Sequence, residues 1–338
     1  MSGIIIHPEV EEAIHAASPI VVLESAVLTA GLPNEPWHED WPKDPLHAAM
    51  PDWDTAGPLA IQLGQRMEHE VRSHGAIPCT TAIVDGRLHL GLDAEQLEHL
   101  VHRGHGQKAG ATSMASALES GRCAGTTVSG ALIACRQLQT LAERDDWAPT
   151  MATGGIGGVH RHWTRRLDIS SDLSTLATTR TCVVSAGSKS ILDTIATLEL
   201  LESLGVPVLG WQTEQWPAFT ASTRPDAPRI QLVDDAAQVK RICVEQWQTL
   251  GLQSCVLLAN PIDPAIALDP DDLDALVDAA EIAAASKGIT GIERTPFLLG
   301  HLATATHGRS IAANLALLVS NARRAAEVAC LLAGPHLA

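Results

Sequence analysis

The chain has no tyrosine and only two phenylalanines in 338 residues. Stacking on nucleobases would fall to its eight tryptophans. Positive charge is scarce too. Lys and Arg total 23 against 39 Asp and Glu, a formal net charge of −16, which repels a phosphate backbone over most of the surface. No nucleic-acid polymer is expected as a partner, although a local basic pocket for one small phosphate is allowed. No apolar run reaches the roughly 18 residues of a membrane span, so no membrane association is expected. The N-terminal MSGIIIHPEVEEAIHAASP lacks the basic segment and long apolar core of a secretory signal. The seven cysteines, at 79, 123, 135, 182, 243, 255 and 330, never form C-x-x-C. Such a dispersed, odd set predicts reduced thiols in a cytoplasmic protein rather than a disulfide framework or a zinc site.

What remains suits a sizeable core: 46% of residues are hydrophobic and 18% charged. Strand-like runs recur at 19–23 (PIVVL), 82–85 with 88–90, 181–185 (TCVVS), 206–209 (VPVL) and 254–260 (SCVLLAN). Between and after them, helical spacing predicts helices over 190–205, 271–287 and 310–332. The alternation predicts a layered α/β domain with a largely parallel sheet, which places ligands beyond the C-terminal ends of its strands. No repeat or low-complexity linker divides the chain, so one domain spanning 1–338 is expected. Segment 34–54 stands apart. It holds three tryptophans, four prolines and a cluster of acids without a clean period. It reads as an irregular insertion, either a plain surface loop or a lid with Trp37, Trp41 or Trp53 as a flat apolar wall.

Five local patterns could carry chemistry. In TCVVSAGSKS (181–190) a β-branched run and a small-residue turn place Lys189 at a strand's end and beside a helix start. Burial and the helix dipole would both disfavour its ammonium, as imine chemistry needs; the competing reading is a lysine paired with an acid. In MATGGIGGVHR (151–161) four glycines in five residues let backbone amides converge as an anion nest, with His160 and Arg161 adding charge, or simply form a tight turn. In LDISSDL (167–173) Asp168 and Asp172 sit four apart among hydroxyls, either as oxygen ligands for Mg²⁺ or Mn²⁺ or as a capped helix start. His99, His102 and His105 recur every third residue, but no acid or Cys completes a familiar metal spacing, so a solvated helix face is expected. Glu24 ends PIVVL and is an acid/base candidate or a capping group.

Taken together and in this order, these stretches resemble the pseudouridine-5′-phosphate glycosidase family, also called indigoidine synthase A-like. LESAVLTAGLP (23–33), GTTV (125–128), ATGGIGGVHR (152–161), DISSDL (168–173), SAGSKSILD (185–193), LLANP (257–261) and GRSIAANLAL (308–317) carry the likeness, which runs collinearly along most of the chain. The resemblance implies a three-layer α/β/α fold, usually in a homotrimer, acting on the C–C bond between ribose 5-phosphate and a nucleobase. It implies Lys189 as the imine nucleophile and Glu24 as the proton donor and acceptor. It implies Asp168 as a ligand of one Mn²⁺, largely through water. Ser170, Ser171 and Asp172 would contact substrate, Lys108 would be a second site lysine and Val128 a substrate contact. Thr153 and His160 would hold the 5′-phosphate, and Asn314 would face the base.

The chain departs from the family's pattern in places. Gly110, Ala111, Thr112 and Ser113 replace a Ser-Arg-Arg-Asp run, Ala30 replaces a His, and extra residues fall at 34–54 and near 138–149. These departures favour a C-glycosynthase of natural-product biosynthesis that joins ribose 5-phosphate to an aromatic aglycone. The alternative is a catabolic glycosidase releasing the pyrimidine uracil. A non-catalytic sugar-phosphate binder would not need Lys189, Glu24 and Asp168 together, and an aldolase-like enzyme would not need Glu24 or the metal.

Overall fold

The computed structural model describes residues 3–32, 36–164 and 167–333. Its thirteen strands are β1 (Ile4–Ile6), β2 (Ile20–Leu23), β3 (Ile77–Val84), β4 (Arg87–Leu90), β5 (Lys108–Ala109), β6 (Ala124–Thr126), β7 (Thr150–Ala152), β8 (Val159–His160), β9 (Cys182–Ser185), β10 (Leu192–Asp193), β11 (Val208–Trp211), β12 (Gln231–Val233) and β13 (Val256–Ala259). Eleven form one sheet in the order β1-β4-β3-β2-β7-β9-β13-β11-β12, with β6 on β3 and β5 on β6. The run from β3 to β12 is parallel throughout, and antiparallel pairing is confined to β3–β4 and β3–β6. β8 and β10 form a separate antiparallel pair.

Central strands are apolar on both sides because both faces are covered. Val21, Leu23, Cys182, Val184, Val256 and Leu258 join one buried cluster, while Ile20, Val22, Val183 and Leu257 join the other. Alternate residues point to opposite faces, so continuous β-branched runs mark a sheet sandwiched between helical layers. This is the expected α/β fold with three layers. The long helix Arg309–Ala333 crosses the middle of one face and buries Leu315, Leu318, Ala322 and Ala326. Among the described residues, no helix is long and apolar enough to cross a membrane.

Several local expectations change. The helix expected from 190 begins only at Thr194, capped by the Asp193 side chain, after the short strand β10. Lys189 therefore does not sit at a helix N-terminus, and the dipole argument for it falls. The helix carrying His99 and His102 ends at Arg103, so His105 lies off it. Segment 34–54, described from residue 36, is not an irregular loop throughout. It contains the helix Asp44–Ala49, and Trp37, Leu46, Met50 and Trp53 are buried in the core. Its anchor is Gly308, at φ +82°, where a Cβ would stand 2.6 Å from the Trp41 ring and 2.8 Å from the Trp37 ring. Only glycine lets the indoles close onto the turn before the long helix.

Candidate active site

Glu24 follows the last residue of β2, Thr153 that of β7, and Lys189 comes four residues after β9. Parallel strands thus deliver all three to one edge of the sheet, where backbone groups diverge and leave room for a ligand. The backbone beside Glu24 is held tightly. Ser25 Oγ donates to Thr81 O at 2.6 Å and accepts from the Thr126 amide at 3.0 Å. The next residues turn sharply in a π-helical loop, Val27–Gly31, whose first amide donates to Glu24 Oε2 at 3.3 Å. Loss of water raises the Glu24 carboxyl above the usual carboxylate range, against the pull of the Lys189 charge and of the Val27 and Ala26 amides. A carboxyl poised this way can give and take a proton nearer neutrality.

Lys189 rides a turn braced against the glycine segment. Its amide donates to Ile156 O, and the Ile156 amide donates to Gly187 O. Gly187 has φ +88°, and a Cβ there would lie 2.5 Å from Pro217 O. Lys108, from β5, reaches the same space. Burial, then the charge of Lys189, lowers its pKa, and Asp172 opposes this. Two lysines and Glu24 therefore share one partly desolvated site.

The glycine segment is a packing device more than an anion nest. The Gly157 amide donates to Asp172 Oδ2 at 2.9 Å and the Val159 amide to Thr197 Oγ1 at 3.0 Å. A Cβ on Gly157 would meet Ser170 Oγ at 2.4 Å, and one on Gly158 would meet Thr197 Oγ1 at 2.4 Å. Its amides at residues 153, 156, 157, 159 and 160 are all committed internally. Arg161 is committed too, to Asp274 at 2.6 Å and Asp278 at 3.0 Å. His160 stays buried on the cavity wall with Nδ1 unpartnered, and burial lowers its pKa.

The two aspartates of DISSDL divide their tasks. Asp172 is buried, and its carboxylate takes the Ser129 amide at 2.9 Å as well as that of Gly157. Ser170 caps the helix Ser171–Leu176, so the capping reading holds for that end of the motif. Asp168 keeps a half-exposed carboxylate on the cavity wall. A Mn²⁺-type cation asks for oxygen donors and retains several waters. Asp168 in a roomy polar chamber fits an ion held mostly through water. The donor set does not fit an all-protein cage, because the Asp172 oxygens already serve backbone amides.

The cleft has three connected parts. A polar chamber of about 770 Å³ is walled by Lys108, His160, Asp168, Ser170, Ser171 and Asp172 among others. A waist of about 100 Å³ holds Glu24, Val128 and Asn314, and Lys108 and Lys189 line both. Beyond it, an arm of about 330 Å³ is walled by Ala30, Trp41, Phe219, Leu299 and Ile311, with Asn314 at its mouth. Of the eleven residues given a site role by the family resemblance, ten line these spaces. Thr153 does not; it is buried, with Oγ1 3.5 Å from Glu24 Oε1. The missing charges at 110–113 fall on the polar chamber, lined by Gly110, Thr112 and Ser113, and not on the apolar arm.

Sequence reasoning missed Phe219, Thr295 and Pro296, which line the waist, and the buried pair Asn260–Asn321. Asn321 Nδ2 donates to Thr153 O at 2.8 Å and its Oδ1 accepts from Asn260 at 2.9 Å. The pair ties the ends of β7 and β13 to the long helix. An asparagine inside an otherwise apolar helical stripe was the available signal.

A sheet with its reactive groups at the C-terminal strand edge, two lysines and a half-buried glutamate defines a class of enzyme-like clefts built for carbonyl and proton chemistry. The comparisons narrow it. The model of the indigoidine synthase A like protein family matches residues 55–331. Proteins called pseudouridine-5′-phosphate glycosidase, from Sorangium cellulosum and Escherichia coli, are 39% and 36% identical to it, over 96% of this chain and 92% and 94% of theirs. The chain belongs to the indigoidine synthase A-like family. Among solved structures, the prealnumycin C-glycosynthase AlnA in complex with ribulose 5-phosphate superposes with a TM-score of 0.80 at 31% identity over 98% of both chains. An indigoidine synthase A-like protein from Thermotoga maritima gives 0.79 at 29%, over 98% of this chain and 97% of that one.

Proposed function

We propose that the protein cleaves, and in reverse forms, the C–C glycosidic bond of a ribose 5-phosphate C-nucleoside, with pseudouridine 5′-phosphate as the substrate. The observation that carries this is the convergence of Glu24, Lys108 and Lys189 at the waist between a polar chamber and an apolar arm. The names of the relatives favour this catabolic reading over the biosynthetic one expected from the sequence departures.

A C–C bond offers no heteroatom leaving group, so a carboxylate pair alone is a poor catalyst for it. In the proposed course the C1′–O4′ bond breaks as O4′ takes a proton from Glu24, and Lys189 Nζ bonds C1′. Glu24, now a carboxylate, takes the proton released by Nζ on bonding C1′ and delivers it to the base carbon as that carbon's bond to C1′ breaks, and the electron pair on Nζ forms the imine. Water hydrolyses that imine, returning the free amine and the aldehyde of ribose 5-phosphate. Lys108, Ser170, Ser171 and His160 would bind the sugar phosphate in the polar chamber, with Asp172 holding the chamber wall through the Ser129 and Gly157 amides. Asp168 would hold Mn²⁺ through water, and the cation would supply charge neutralisation for the sugar phosphate.

A second reading is carried by one feature. The apolar arm, with Trp41 and the small Ala30, has room for a larger flat acceptor than a pyrimidine. In that case the enzyme is a C-glycosynthase for an aromatic aglycone. Incubation with pseudouridine 5′-phosphate and Mn²⁺, read by mass, tests both. Uracil and ribose 5-phosphate are expected; no turnover, with ribose 5-phosphate still trapped by borohydride on Lys189, would replace the first reading with the second.

A further inference from the structure

Away from the cleft, the turn between β3 and β4, the helix Ala94–Arg103 and the residue before β6 bring Asp85, His99 and Cys123 together. Among the described residues, this is the one group of three His, Cys, Asp or Glu side chains whose ligand atoms all lie within 4.8 Å of one another. We propose that it is a site for a zinc-class divalent cation, distinct from the cleft.

The geometry needs little adjustment. Cys123 Sγ and His99 Nε2 each stand 3.3 Å from Asp85 Oδ1. Zinc bonds of about 2.0–2.3 Å at tetrahedral angles hold neighbouring donors roughly 3.5 Å apart. Thiolate, imidazole and carboxylate supply three donors and leave the fourth position to water, a donor set suited to zinc rather than to Mg²⁺ or Ca²⁺.

The backbone under the three side chains is fixed without an ion. Asp85 and Gly86 both have positive φ, 46° and 74°, the two-residue hairpin turn that Asp-Gly favours. A Cβ on Gly86 would lie 2.7 Å from Gly121 Cα and 2.8 Å from Leu118 O, so the turn is pressed onto the loop leading to Cys123. The Gly86 amide donates to Arg122 O at 3.1 Å, and the Asp85 amide to Cys123 Sγ at 3.4 Å. His99 stands on a helix started by a capping box between Asp93 and Gln96. Ligands held on such elements lose little freedom when an ion binds.

Access is from one side. Asp85 and His99 are exposed and Cys123 is shielded. Burial holds the Cys123 thiol above its ordinary pKa, so the ion must displace a proton from it. The charge of Arg103 reaches both Asp85 and Cys123 and works against the ion. Arg122 and Ala124, on either side of Cys123, line the polar chamber. Occupancy would stiffen that wall without placing the ion among the reacting groups.

Cobalt titration of the full chain under reducing conditions tests the proposal, because a thiolate ligand gives a near-ultraviolet charge-transfer band and an oxygen-only site does not. One equivalent should develop the band, and Zn²⁺ should remove it. Cys330→Ser should keep it and Cys123→Ser should lose it. His99→Ala changes an exposed helix face and should leave the fold intact, yet weaken cobalt binding about tenfold or more, since even outer partners of a metal cost that much. A band that never forms, that survives Cys123→Ser, or that keeps its midpoint in His99→Ala overturns the site.

Discussion

The polar chamber and the apolar arm are two ends of one cleft, built in opposite ways. Around the chamber, side chains are fixed by the backbone of the sheet's edge: Asp172 is locked by two amides, and Lys189 rides a turn bonded to the glycine segment. Around the arm, the wall is peripheral. Trp41 comes from an inserted segment, and Leu299 and Leu302 come from the helix Arg294–Ala305, which lies outside the sheet. Side chains at the first end are over-determined, and a change there disturbs several hydrogen bonds at once. At the second end Trp41 and Leu299 stand on elements outside the sheet, so a substitution there leaves the hydrogen bonds of the sheet's edge in place.

Substitutions along the cleft should separate the two ends. The largest effect is expected from Lys189→Ala, which should lower turnover by at least about 10⁴-fold, as loss of a nucleophile does, and abolish borohydride trapping of ribose 5-phosphate. Trapping that persists in this variant would remove Lys189 from its role. Glu24→Gln should cost about 10²–10⁴-fold, the range of a general acid or base. It should also raise the melting temperature near neutral pH. The folded-state pKa of Glu24 lies above its unfolded value, so the wild-type carboxyl supports the fold fully only below the unfolded pKa, and that support is lost as pH rises through the folded one. The advantage of Gln over Glu should therefore vanish in acid; an advantage independent of pH would contradict the desolvation account.

Asp172→Ala strands two buried amides and should destabilise the protein by about 1–3 kcal/mol in chemical unfolding. A loss of activity without any loss of stability would mean that its oxygens serve substrate rather than the fold. The smallest change is expected from Trp41→Ala: about a tenfold rise in KM for the aglycone, with trapping of ribose 5-phosphate unchanged, because one aromatic wall carries about 1.4 kcal/mol or less. If trapping falls along with it, the two ends are coupled and the contrast between them fails.

The strands and the chemistry-bearing motifs were legible because each is a local pattern: a β-branched run, a glycine cluster, a pair of acids. Their tertiary consequences were less so. The glycines at 157 and 158 read as a phosphate cradle, but their purpose is the approach of Ser170 and Thr197, which no local rule announces. His99 and His102 do lie on a solvated helix face, but the approach of Asp85 and Cys123 to His99 was hidden because they arrive from two other elements. Trp37 and Trp53 read as residues of a surface loop or a lid because an aperiodic stretch gives no sign of which side chains are buried. The lysine at 189 was recognisable, but the position of the next helix was not, since Asp193 caps it after a strand of two residues.

The pairing of Asn321 with Asn260 and with the end of β7 has a consequence for synthesis. Glu24, Lys108 and Lys189 leave the ribosome long before Asn314 and Asn321, yet the waist they share is closed by the helix that carries those asparagines. A nascent chain that has made all its reactive groups still presents an open apolar sheet face and no formed cleft. Its lysines have no desolvated pocket around them until that helix is made and packed, so the cleft is completed by one of the last elements to be synthesised.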